Sequence, residues 1–147
     1  MMDLHNSILE YRKDNRGYLL QWLYDNENDT NIPELSEIKS LDFSSILISN
    51  DYDNEMPRII TKLYNLENLE ISSCDLERIN DDVGNLKKLR NFNMSCNRIE
   101  KIPESLDQCT NLEVLNISEN RISSLPENIG KMENLRELYI TYSASYF

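Results

Sequence analysis

Residues 112–132 read LEVLNISENRISSLPENIGKM, and the same pattern stands 23 residues earlier as LRNFNMSCNRIEKIPESLDQC from Leu89 and 23 earlier again as LENLEISSCDLERINDDVGNL from Leu66. A further copy, LRELYITYSASYF, opens at Leu135. A fixed period of this length marks a repeat architecture, in which no copy can bury its apolar side chains alone and neighbours stack into a continuous core. The chemistry of one copy follows from spacing. Leu115 and Ile117 lie two apart and so share one face of a short strand, Asn116 and Ser118 take the other, and Leu112 turns inward beside them. Asn120, matched by Asn97, follows where the chain must bend, and a buried amide there can pair the N–H and carbonyl groups that the bend leaves open. Pro103 and Pro126 are expected to begin a short helical turn, with Glu104 and Glu127 near its positive N-terminal end. Each copy is therefore a strand, a bend and a helical or 3₁₀ return.

Working outward, IKSLDFSSILIS places Ile38, Leu41, Phe43 and Ile48 as an upstream copy, with Ile46 in place of the Asn and 28 residues to Leu66. This register makes Asn50 to Asn54 (NDYDN) an insertion. A competing register starts the copy at Phe43 with the regular spacing, and the sequence leaves both open. Residues 3–27 are expected to supply an N-terminal cap of one or two helices. Leu4, Ile8 and Tyr11 share a helical stripe, Leu19, Leu20, Trp22 and Leu23 continue it, and Trp22 should face the first rung. The stretch DNENDTNIPEL reads as a polar turn into the repeats. After Ile140 the pattern has Ser143 where Asn belongs and Ser145 where Leu belongs, so no second cap is expected.

These residues resemble leucine-rich repeats, in the 23-residue variety with LPxxIxxL between strands that occurs in the Ras-suppressor and Shoc2-like proteins and in many bacterial and viral effectors. The resemblance covers about residues 36–142. It implies an α/β solenoid: a leucine-rich repeat horseshoe segment with short parallel strands on the concave face and short helical or 3₁₀ turns on the convex face. The expected organisation is residues 1–35 as helical cap and residues 36–147 as four to five rungs, the last incomplete.

Composition narrows the function. Of 147 residues, 39% are hydrophobic and 28% charged, as in a folded water-soluble chain. Net charge is −11, which argues against nucleic acid and anionic lipid as partners and favours a protein with a basic surface. The acidity concentrates in residues 1–57, with 12 acidic and 4 basic side chains against 14 and 11 in residues 58–147. Nineteen Asn and 15 Ile against a single Ala, Ala144, indicate an AT-rich source such as a large DNA virus, an intracellular bacterium or a protist. No apolar run approaches the roughly 20 residues needed to span a bilayer, and Asp3 stands where a signal peptide carries basic charge. The expected compartment is the cytoplasm, host-cell cytoplasm for a virus or bacterium.

No catalytic constellation emerges. The only histidine, His5, has no Ser, Cys or Asp at a motif spacing, and Asp81-Asp82 read as charge at the start of a return turn. Cys74, Cys96 and Cys109 lack zinc-site or disulfide spacing; Cys74 and Cys109 are expected buried, Cys96 outward. No metal or cofactor is expected. The sequons at Asn28, Asn93 and Asn116 are taken as unmodified, the last two falling out of the repeat itself. Arg98 and Arg121, with Arg78 and Lys101 further round, sit among Glu77, Glu100 and Glu119 as a mixed-charge edge.

What remains is the outer face of the sheet. One column runs Ser40, Asn68, Asn91, Val114, Glu137; the next Asp42, Glu70, Asn93, Asn116, Tyr139; a third Ser44, Ser72, Ser95, Ser118, Thr141; a fourth Ser45, Ser73, Cys96, Glu119, Tyr142. The expected function is a non-enzymatic protein–protein interaction module. Its candidate site is Asp42, Asn68, Glu70, Asn91, Asn93, Val114, Asn116, Glu119, Glu137, Tyr139 and Tyr142, where rigid tyrosines and acidic groups suit a basic partner. Two alternatives stand beside it. One is a regulatory or targeting subunit of a phosphatase or ubiquitin ligase docking through the N-terminal helices, which exposure of Trp22 would favour. The other is a self-assembling structural protein or homodimer joined through the uncapped C-terminal end.

Overall fold

A computed structural model describes residues 21–23, 25, 26, 28, 33–48 and 54–142. Five three-residue strands, β1 (Ser40–Asp42), β2 (Asn68–Glu70), β3 (Asn91–Asn93), β4 (Val114–Asn116) and β5 (Glu137–Tyr139), form one parallel sheet in sequence order. Between them run 3₁₀ turns at Pro33–Glu37, Arg58–Lys62, Asp81–Asn85, Glu104–Gln108 and Ile129–Lys131. The return side is thus 3₁₀, and the fold is the solenoid of short parallel strands that the resemblance to leucine-rich repeats implies.

Pairing of Ser40 with Asn68 and of Asp42 with Glu70 settles the first rung on the 28-residue spacing. The Phe43 register fails in the strand. At Glu55 the chain rejoins the 23-residue period, bridging Arg78 in parallel, with Met56 N donating to Arg78 O at 3.0 Å. The insertion therefore falls between β1 and Glu55; residues 49–53 lie outside the described ones.

Strands stop after three residues because the fourth column is a turn. Ser45, Ser73, Cys96 and Glu119 have φ of 61°, 56°, 56° and 56°, a left-handed conformation that ends extended pairing. The repeat pattern puts these residues on the sheet face; they stand three residues beyond the strand ends instead. Each holds that conformation by donating its N–H to the next rung, as Glu119 N does to Thr141 O at 2.7 Å. Tyr142, the fifth member of the column, has no following rung among the described residues and does not share the positive φ.

Bends are closed by the Asn column. Asn97 Oδ1 accepts from Cys74 N and Leu76 N, both at 3.0 Å, while its Nδ2 donates to Ile71 O at 2.9 Å and Met94 O at 3.0 Å. Cys74, in the same column, reproduces only the donor half, its Sγ reaching Phe43 O at 2.9 Å. With no side-chain acceptor opposite them, Ile46 N and Ile48 N bond Phe43 O and Cys74 O, and the chain leaves the pattern there for the insertion.

Inside, Leu66, Leu89 and Leu112 stack in one column, Leu41, Leu69, Phe92 and Leu115 in the next, Phe43, Ile71, Met94 and Ile117 in a third, all buried. Leu23 joins this core and Trp22 packs against it half-buried, in a short helical stretch. Leu4, Ile8, Tyr11, Leu19 and Leu20 lie outside the described residues. The Pro expectation needs one correction. Pro103 precedes the turn Glu104–Gln108 as its cap, and the last turn starts only at Ile129, three residues after Pro126. A 3₁₀ turn takes its first hydrogen bond from the carbonyl before it, which is how Pro103 O accepts from Leu106 N at 3.1 Å. Packing at Gly84 is tight: a Cβ there would stand 2.6 Å from Ser105 O, whereas one at Gly130 would meet nothing within 4 Å.

Candidate functional site

The concave face is built by the alternation of the strands. Strands β1 to β4 send the middle residue into the core and the two ends outward, and β5 continues the register with Leu138 exposed, so the paired columns Asn68, Asn91, Val114 and Glu70, Asn93, Asn116, Tyr139 lie side by side. Seven of the eleven expected site residues, Asn68, Glu70, Asn91, Asn93, Val114, Asn116 and Tyr139, line one shallow hollow of about 230 Å³, whose floor is Leu69 and Phe92. Asp42, Glu119, Glu137 and Tyr142 are not part of it. Asp42 lies one strand beyond; its Oδ1 accepts from Ser44 N at 2.9 Å and Ser44 Oγ at 2.6 Å. Glu119 belongs to the left-handed turn. Glu137 lies in the same strand as Tyr139 and hydrogen-bonds it, and Tyr142, three residues beyond, is exposed.

Polar groups around the hollow are tied to one another. Asn91 Nδ2 donates to Asn68 Oδ1 at 2.6 Å, and Asn68 Nδ2 to Ser40 Oγ at 3.0 Å. Glu70 spends both oxygens, Oε1 accepting from Ser72 N at 3.0 Å and Oε2 from Asn93 Nδ2 at 2.8 Å. Asn93 and Asn116 each accept the N–H two residues on, at 3.0 Å. These internal bonds fix the side chains before any partner arrives, which lowers the entropy that binding must remove. At the C-terminal edge Tyr139 OH donates to Glu137 Oε2 at 2.6 Å. That hydrogen bond, reinforced by the carboxylate's charge, holds the phenol pKa above its ordinary value.

Elsewhere, Cys96 is exposed and Cys74 and Cys109 are buried; burial pushes the Cys109 thiol up to about 12. Arg98 pairs with Asp75 and, at 3.6 Å, with Glu77, so the basic column is a mixed-charge edge. His5 lies outside the described residues. Among the described residues no group of three or more His, Cys, Asp or Glu could hold a metal ion, and no helix is long and apolar enough to cross a membrane.

One residue the sequence reading passed over is Asn80, buried at 5% exposure with an unpartnered Oδ1. The available signal was its column, which elsewhere holds Pro57, Pro103 and Pro126.

The sequence matches a leucine-rich repeat family model over residues 64–122 and a two-copy leucine-rich repeat model over residues 110–145. No curated protein matches it. Among solved structures the chain is similar to a leucine-rich repeat protein of Leptospira interrogans, with 20% identity and a TM-score of 0.60 over 81% of this chain and 34% of that one. It is similar to the leucine-rich repeat ectodomain of the receptor kinase SOBIR1 from Arabidopsis thaliana, with 26% identity and a TM-score of 0.57 over 74% of this chain and 62% of that one. An internalin of Listeria monocytogenes gives 20% identity and a TM-score of 0.56, over 84% and 42%. The chain thus spans between 34% and 62% of the length of these structures. With the two models together covering residues 64–145, more than half of the chain, and the sheet register following the 23-residue repeat from β2 to β5, the chain belongs to the leucine-rich repeat proteins, whose domains generally mediate protein–protein interaction.

Proposed function

We propose that this chain is a non-enzymatic binding module that grips a partner protein on its concave sheet, centred on the hollow between Glu70, Asn93, Val114, Asn116 and Tyr139, and that the partner presents basic residues. The single observation that carries the reading is that hollow: seven residues from four strands, pre-tied by hydrogen bonds, around an apolar floor. A partner side chain can cover such groups without leaving donors unpaired, and Tyr139 supplies a rigid amphipathic anchor. Glu137 beside it and the net charge of −11 supply attraction for Lys or Arg at the rim. Cytoplasmic operation, host cytoplasm for a viral or bacterial source, belongs to the same proposal. The test is hydrogen-exchange footprinting with a partner captured from that cytosol. Protection should centre on residues 68–70, 91–93, 114–116 and 137–139; protection confined to residues 1–30 would contradict the reading and favour the regulatory-subunit alternative, which the half-buried Trp22 does not favour.

A second reading, self-association through the last rung, is favoured by β5, all of whose residues are exposed, and by Leu125 and Leu138 at 38% and 36% exposure. Two copies meeting there about a two-fold axis would cover both. Sedimentation at micromolar concentration showing a single 17.3 kDa species would remove it.

A further inference from the structure

Among the described residues β5 is the last strand of the sheet, and the core opens there. Leu106, Leu112, Leu115 and Ile117 are at most 2% exposed, whereas Leu138, 23 residues after Leu115, is at 36%, and Ile129, Leu135 and Ile140, the equivalents of the other three, are only partly buried.

The backbone of β5 has an open side as well. Glu137 N donates to Glu113 O at 3.1 Å, while Tyr139 O and Thr141 O accept from Ile117 N at 3.0 Å and Glu119 N at 2.7 Å, so positions 137, 139 and 141 face β4. Alternation along a strand turns the N–H and C=O of Leu138 and the N–H of Ile140 the other way. The repeat agrees. Ile117 N and Glu113 O bond the rung that follows them, and their equivalents, Ile140 N and Arg136 O, have no following rung among the described residues. An open strand edge of this kind is a template for another strand.

A second copy of the same edge matches it residue for residue. Turned about a two-fold axis through Leu138, Leu138 N–H and C=O exchange with those of the second Leu138 as a hydrogen-bonded antiparallel pair, and Ile140 N–H meets Arg136 C=O in both directions. Side chains sort by face. Leu138 meets Leu138 over the open core, and Glu137 stands opposite Tyr139 on the concave side. Within one chain Tyr139 OH already donates to Glu137 Oε2 at 2.6 Å, and the two-fold pairing offers the same bond across the axis. Charge permits the contact: residues 125–142 carry three acidic and two basic side chains, while the acidic excess sits in residues 1–57, whose strand β1 is at the opposite edge of the sheet. A head-to-tail stack would bring β5 to that acidic end.

We propose that β5 pairs antiparallel with β5 of a second copy of this chain, in the register that sets Leu138 opposite Leu138 and Glu137 opposite Tyr139. The inference rests on the self-association reading and supplies its strand register. It joins the two concave faces into one continuous sheet, with the second copy's Glu137 beside the hollow that Tyr139 lines. In dilute solution, below the dissociation constant, the last rung stays open.

Sedimentation velocity and hydrogen exchange of the ¹⁵N-labelled full chain, each over a concentration series, test it. A dimer should form at micromolar concentration, and exchange at the Leu138 and Ile140 amides should slow in step with the dimer fraction while Leu115 stays protected throughout. Leu138→Pro deletes an outward N–H on an edge strand, where proline is tolerated, and with a bond lost on each side of the axis should weaken association by at least about tenfold. In a Cys96→Ser background, Glu137→Cys and Tyr139→Cys chains should cross-link on air oxidation when mixed and not when alone. Opposed residues there stand about 4.5 Å apart at Cα and same-numbered ones about 7 to 8 Å, beyond the reach of a disulfide. This pair decides the register should Leu138→Pro fail to fold. A single 17.3 kDa species overturns the proposal together with the self-association reading. A dimer whose Leu138 and Ile140 amides exchange as in the monomer, undiminished association of a folded Leu138→Pro, or cysteine variants that cross-link equally well alone overturn this register and leave self-association standing. A monomer that protects both amides at every concentration overturns it by showing that the edge is covered from within the same chain.

Discussion

Asn120 reaches back across the sheet to the preceding rung, its Nδ2 donating to Met94 O at 2.9 Å while its Oδ1 accepts from Ile99 N at 3.0 Å. One amide so joins two rungs, as Asn97 does one rung earlier. The Asn column is therefore cross-rung connection as well as turn chemistry. Asn97→Ala would strand two buried N–H groups and a carbonyl, at about 1 to 3 kcal/mol for each group left unpaired. Chemical denaturation should place its total loss above about 3 kcal/mol.

Burial in the middle-strand column should grade the cost of truncation. Leu115 is 0% exposed between two neighbours, whereas Leu138, in the same column on the last rung, is 36% exposed. Leu115→Ala should cost about 2 to 5 kcal/mol and Leu138→Ala about 1 or less. Asn116→Ala, which gives up the bond from Ser118 N, should cost about 0.5 to 1.5 kcal/mol. Equal losses at Leu115 and Leu138 by urea denaturation would show that the last rung is covered in solution.

Two glycines in equivalent positions of the return turns should respond with opposite sign. Gly84→Ala forces a methyl to within 2.6 Å of Ser105 O, and overpacking of this kind costs about 1 to 3 kcal/mol. Gly130→Ala meets nothing and, by stiffening the unfolded chain, should stabilise by about 0.4 to 1 kcal/mol. Thermal unfolding of the pair checks both.

Cysteine chemistry should follow burial. At neutral pH iodoacetamide should modify Cys96 alone in the folded protein, and all three thiols in denaturant. Because burial raises the Cys109 pKa from 9.0 to about 12, the folded state favours the neutral thiol. That contribution is present in full below about pH 9 and is lost as pH rises toward 12. Alkaline unfolding should ease accordingly, and Cys109→Ala should remove this slope from the pH–stability curve.

Much of this was legible in the sequence, and the parts that were not share a cause. The columns headed by Ser40 and Asp42 could be written down from period and alternation alone, because a parallel sheet of identical rungs has only one register consistent with a buried Leu112–Leu115–Ile117 set. The 28-residue spacing of the first rung was one of two readings, since Ile46 and Cys74 both break the Asn column that would have decided it. Periodicity says which face a residue takes but not where pairing ends, so it puts Ser45, Ser73, Cys96 and Glu119 on the sheet although they form a left-handed turn. Nor does it reveal which polar groups satisfy each other: Glu70 looked like an available charge, and both its oxygens are occupied. For that reason Glu137, exposed on the rim, is the better position at which to reverse charge.

The most direct measurement for the concave-face account is the affinity of a captured partner for the wild type, Tyr139→Ala and Glu137→Lys by isothermal titration calorimetry, with association rates at two salt concentrations. Tyr139→Ala should cost on the order of 2 kcal/mol, and Glu137→Lys should slow association mainly at low ionic strength. Binding that ignores both substitutions yet fails when residues 1–30 are altered would contradict the account and place the interaction on the N-terminal segment.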